Sequence, residues 1–112
     1  MENYNELIEE VRDARIALGF LVHRRLQKDN LEKAERVHLE RELMCIQSDA
    51  RILSAELKDT PDTKFIPANM TKLNCLLENT RKQFRQFKNG NYMYMCTADF
   101  ASALFLLYPQ ET

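Results

Sequence analysis

The chain has 112 residues, 45% of them hydrophobic and 29% charged, with a formal net charge of −1. That length predicts one domain, residues 1–112, able to bury a modest core without disulfides or metal. The near-zero charge excludes a global field drawing the protein onto nucleic acid or an anionic membrane, and two glycines with three prolines are too few for a many-stranded sheet.

Tyr4, Leu7, Val11, Ala14, Leu18 and Leu21 recur in steps of three and four, which predicts a helix over residues 3–28 with one apolar seam. Glu6, Glu9, Glu10 and Asp13 gather toward its start and Arg24, Arg25 and Lys28 toward its end, the polarity that the helix dipole favours. The segment RIALGFLVHRR, residues 15–25, departs from simple amphipathicity. Leu18, Leu21 and Val22 lie within the seam, but at 100° per residue Ile16 and Phe20 fall nearly opposite it. A helix apolar all round is buried all round, so this pair is expected to need a second cover, from the third and fourth helices or from another copy of the chain.

The tripeptide KDN makes a short turn, with Asn30 as the expected N-cap of a second helix over residues 31–57. Its seam is Leu39, Leu43, Ile46, Ala50, Leu53 and Leu57, while Cys45 and Ile52 sit off it. Two long helices joined by so short a turn must fold back as an antiparallel hairpin.

KDTPDTKFIPAN interrupts the periodicity with two prolines. A third helix is predicted over residues 68–88, on the seam Met70, Leu73, Leu77, Thr80, Phe84 and Phe87, with Gly90 as its left-handed terminator. YMYMC alternates briefly, as an extended link does. Thr97 and Asp99 supply a cap and a first-turn acid for a short helix over residues 98–107, ahead of Pro109. Its inner stripe is Phe100, Leu104 and Leu107, which leaves Phe105 and Leu106 in want of another surface. The fold class expected is all-α, a helical bundle built on a long hairpin.

The chain carries no motif that names a reaction. The acids Glu6, Glu9, Glu10 and Asp13, with Glu32 and Glu35, invite comparison with the magnesium-binding pairs of all-α nucleotide hydrolases, a chemistry of oxygen ligands. In an antiparallel hairpin, however, Glu32 and Glu35 lie opposite the far end of the first helix, roughly 30 Å from the other acids. Glu35 and His38 have the spacing used in di-iron bundles, but Phe20 stands three residues before His23, so the second such pair is missing. The three cysteines, Cys45, Cys75 and Cys96, have no zinc spacing; Cys45 and Cys75 are expected near apolar faces, as structural thiols. Residues 1–10 are acidic and polar, unlike a secretory signal, and no apolar run reaches the ~20 residues of a membrane span. Reduced thiols and a cytoplasmic location are therefore expected, with no catalytic residues, no metal and no cofactor.

One segment, residues 80–95, interleaves basic and aromatic side chains. Arg81, Arg85 and Lys88 share a helical stripe beside Phe84 and Phe87, and Tyr92 and Tyr94 follow. That composition suits phosphate pairing and base stacking, but it also suits an ordinary helix flank whose arginine stems cover the core. His23, Arg24 and Arg25 carry the same ambiguity. The expectation from these residues is a non-enzymatic interaction protein that binds another protein, in the manner of a small regulator such as an inhibitor carried by a phage or mobile element. The alternatives are a nucleotide or nucleic-acid binder using residues 80–95 and a magnesium-dependent hydrolase. The surplus apolar residues Ile16, Phe20, Ile52, Phe105 and Leu106 point to self-association, a homodimer first of all, because two-fold dimers need only one self-complementary patch.

Overall fold

The structure, a computed structural model, describes residues 4–59 and 67–93, with side chains placed over 5–55 and 70–93. Three helices make up this part: α1 (Tyr4–Leu26), α2 (Lys33–Asp59) and α3 (Pro67–Lys88). The fold is an all-α bundle in which α1 packs against both α2 and α3. The expected helix over 98–107, with Phe105 and Leu106, lies outside the described residues, as do Tyr94 and Cys96.

Each helix is marked at its ends by local chemistry. Glu6 lies in the first turn of α1, and His23, Arg24 and Arg25 lie in its last. α3 begins at Pro67, whose missing N–H would have no helical partner there in any case. It ends in a Schellman turn: Gly90 has φ +94°, the Gly90 N–H donates to Phe87 O at 3.1 Å, and the Asn91 N–H donates to Gln86 O at 2.9 Å.

The hairpin turn differs from the sequence reading. α1 stops at Leu26 and α2 starts at Lys33, so Asn30 sits inside a six-residue connection and caps nothing. The first helical bond of α2 runs from the Arg36 N–H to Glu32 O at 3.0 Å, which makes Glu32 the N-cap residue. A side-chain cap at Asn30 is replaced by ties across the turn. Arg36 donates to Leu26 O at 3.2 Å and to Lys28 O at 3.3 Å, satisfying carbonyls at the end of α1. Arg25 grips Glu35 through two bonds, Nε to Oε2 at 2.8 Å and Nη2 to Oε1 at 3.3 Å.

The core has two apolar clusters. Leu7, Ile8, Val11, Leu53, Leu73, Leu76 and Leu77 form one, toward the start of α1. Leu18, Val22, Leu39, Ile46 and Phe87 form the other, with Leu43, Phe84 and Tyr92 against it. Burying a side chain of this size contributes about 1.5–3 kcal/mol, so both clusters matter to stability. Gly19 sits where α1 and α2 run close: a Cβ there would lie 3.2 Å from Ile46 Cγ2.

Candidate interaction surfaces

Between the apolar clusters lies a polar layer. Arg15 is 1% exposed, and its Nη2 donates to Asp49 Oδ2, itself fully buried, at 2.7 Å. Arg15 Nη1 also reaches Thr80 Oγ1 at 3.4 Å, so one α1 side chain ties together all three helices. Beside it the buried Gln83 donates from Nε2 to Glu42 Oε2 at 3.4 Å. Burial pushes the Asp49 carboxyl above its ordinary range, while the charge and hydrogen bond of Arg15 pull it back and nearby Glu42 adds to the rise. Sequence periodicity passed over this layer, although a signal was present. Arg15 stands four residues after Val11 and three before Leu18, and Asp49 stands three after Ile46 and four before Leu53. Opposite charges at seam spacing on neighbouring helices are the pattern of a buried pair.

The outward face of α1 is the reverse case. Ile16 and Phe20 are exposed, Phe20 to 68%, so no described residue supplies the second cover expected for them. They flank a groove of about 310 Å³ between α1 and α2, lined by Ile16, Gly19, Phe20, His23, Leu43, Ile46, Gln47 and Ala50. The missing side chain at Gly19 lets Ile46 approach and leaves a shallow floor. On α2, Val37 and Met44 are exposed as well, two turns apart on one side of the helix. Ile52, the other α2 residue assigned to self-association, is half-buried.

The basic and aromatic residues of α3 are placed as follows. Arg81, Arg85 and Lys88 are exposed, Phe84 is half-buried and Phe87 is buried. Arg81 Nη2 lies 3.7 Å from Glu10 Oε2, and the Lys88 ammonium sits 5.6 Å from the centre of the Phe84 ring. Arg81, Phe84 and Arg85 border a groove of about 290 Å³ floored by Ala14, Ala17 and Thr80. Tyr92 is half-buried: it meets Phe87 edge-on at 5.0 Å between centroids, and the Arg25 guanidinium lies 3.8 Å over its ring. The two basic segments singled out by sequence thus meet at Arg25 and Tyr92. Arg25 is held there first by its hydrogen bonds to Glu35, which raise its pKa further. His23 and Arg24 stay exposed, with Gln27 Nε2 3.3 Å from His23 Nε2.

The remaining candidates are scattered. Glu6, Glu9 and Asp13 are exposed, and Arg12 lies 3.1 Å from Asp13 and 3.9 Å from Glu9. Glu35 is committed to Arg25 rather than to His38. Among the described residues no group of three or more His, Cys, Asp or Glu side chains is gathered as metal ligands are. Cys45 and Cys75 are exposed, which corrects their expected place near the apolar faces: Cys45 is one residue from Ile46 and Cys75 two from Leu73 and Leu77, offsets that turn a helical side chain away from the seam. Among the described residues no helix is long and apolar enough to cross a membrane. Comparisons of the chain with protein-family models, with curated proteins and with solved structures found no match.

Proposed function

We propose that this protein is a non-enzymatic helical interaction protein, a small regulator that works by binding another protein. The observation that supports this reading is the set of large apolar side chains turned outward on α1 and α2: Ile16, Phe20, Val37 and Met44. Their spacing, i to i+4 on α1 and i to i+7 on α2, makes each pair a stripe rather than a scatter of single residues. Methionine suits such a face, because its flexible thioether adapts to a partner's contour. Inside the bundle Arg15 is engaged with Asp49 and Thr80 in tying the helices together, and the rings of Phe84, Phe87 and Tyr92 are partly or largely covered by their own neighbours. Base stacking needs an open ring face, so the nucleic-acid reading has the weaker support.

The test is co-purification of the tagged full chain from its native host, in parallel with a Val37→Asp/Met44→Asp variant of unchanged helical content. The expected result is a stoichiometric protein partner retained by the parent and lost by the variant. A partner held equally by both, or oligonucleotide binding that weakens linearly with log salt and is lost in Arg81→Glu/Arg85→Glu, would overturn the reading.

A further inference from the structure

We infer that the exposed stripe of α1 is a self-complementary surface that takes a second copy of this chain, with the two α1 helices antiparallel. The inference deepens the reading above by naming the occupant of one face. It rests on treating outward apolar side chains as contact surface.

The stripe runs Glu9, Asp13, Ile16, Phe20, Arg24, in steps of three and four, and every one of these residues is exposed. Ala17 is exposed beside Phe20, and His23 beside Arg24. The surface is therefore acidic at one end, apolar in the middle and basic at the other. An antiparallel copy rotated by a two-fold axis between residues 18 and 19 meets this order in reverse. In that register Asp13 faces Arg24 of the copy and Phe20 lies over Ala17. Two-fold symmetry makes each contact twice, so a single stripe supplies both halves of the interface.

The register also matches sizes. The bulkiest outward side chain of α1 is set against a methyl group, which lets the helices approach closely. Arg12 is turned to its own Glu9 and Asp13 and neutralises part of the acidic end, but that end keeps a net negative charge. The Arg12–Asp13 pair is exposed, and such pairs are worth little in water, so Asp13 remains available to a second arginine. Binding strength comes from the desolvated centre at Phe20, and the flanking charges fix direction and register.

Light scattering or sedimentation of the full chain across micromolar concentrations tests the proposal. A mass near twice 13.2 kDa is expected for the parent, with Phe20→Asp at the monomer mass. Asp13→Arg alone and Arg24→Asp alone should each weaken dimerisation roughly tenfold, because each sets like charges together twice. An equimolar mixture of these two variants should form a heterodimer, and the Asp13→Arg/Arg24→Asp double variant should regain the homodimer. A parent that stays at 13.2 kDa throughout overturns the proposal, while leaving the α2 face to the co-purification test. So does a dimer that ignores both charge reversals, since it would use another surface. All these positions are exposed, and unchanged circular dichroism in each variant excludes misfolding as the cause.

Discussion

Five residues apart on α1, the bundle holds a charge inside and a phenyl ring outside. Arg15 is 1% exposed and bonded into both neighbouring helices, whereas Phe20 is 68% exposed and touches a groove open to solvent. Simple partition by polarity would exchange them. The interior charge is tolerated because Asp49 and Thr80 meet it at fixed points, which also penalises any slip of one helix along another: a shifted register leaves a buried guanidinium and a buried carboxylate apart. The exterior ring costs the monomer little, since apolar atoms cover much of any protein's surface. At these two positions, then, depth does not follow polarity.

The comparison can be broken most forcefully from the inside. Arg15→Leu leaves Asp49 buried without its counter-charge and should cost about 3–5 kcal/mol at neutral pH, read from urea unfolding. The pH dependence fixes the cause. A carboxyl whose pKa is higher in the folded than in the unfolded chain contributes most below the ordinary value of 3.8, and loses ground as pH rises through the folded value. Removing the downward pull of Arg15 widens that window, so the deficit of Arg15→Leu should shrink toward pH ~4 and grow toward pH ~7. A deficit independent of pH would mean that packing, not the charge on Asp49, sets the loss.

Arg25, on the same helix, is the intermediate case, half-buried and shared between Glu35 and the Tyr92 ring. Arg25→Ala should cost about 1–2 kcal/mol by thermal or urea unfolding, more than an ordinary surface pair and less than Arg15. Gly90→Ala sets the scale for a backbone effect with no side-chain partner: at φ +94° an alanine is strained, and about 1 kcal/mol should be lost. The smallest effect belongs to the outside. Phe20→Ser, measured in dilute solution, should move the unfolding free energy by no more than about 0.5 kcal/mol. A much larger loss would mean that Phe20 is covered within the chain.

Much of the architecture was legible in the residues. Leu7, Val11 and Leu18 on α1, Leu39, Ile46 and Leu53 on α2, and Leu73, Leu77, Thr80 and Phe87 on α3 are buried as their spacing predicts. The hairpin and the closing role of Gly90 follow from turn length and chirality. Ile8 and Arg15 escaped, because a single seam assumes a single partner. α1 has two, and its buried arc widens to take in residues that one stripe leaves on the flank. The outward placement of Ile16 and Phe20 was visible on the wheel, but the lack of cover from α3 depends on the side from which that helix approaches, which spacing alone does not encode.

That shared position of α1 has a consequence for how the native state opens. A fluctuation that frees α3 still leaves α1 paired with α2, and one that frees α2 leaves α1 paired with α3. Only the loss of both exposes the amides of α1 to solvent. Deuterium should therefore enter α1 last, around Val11 to Val22, at a rate set by global unfolding, while α3 and the outer turns of α2 exchange through partial openings of lower free energy.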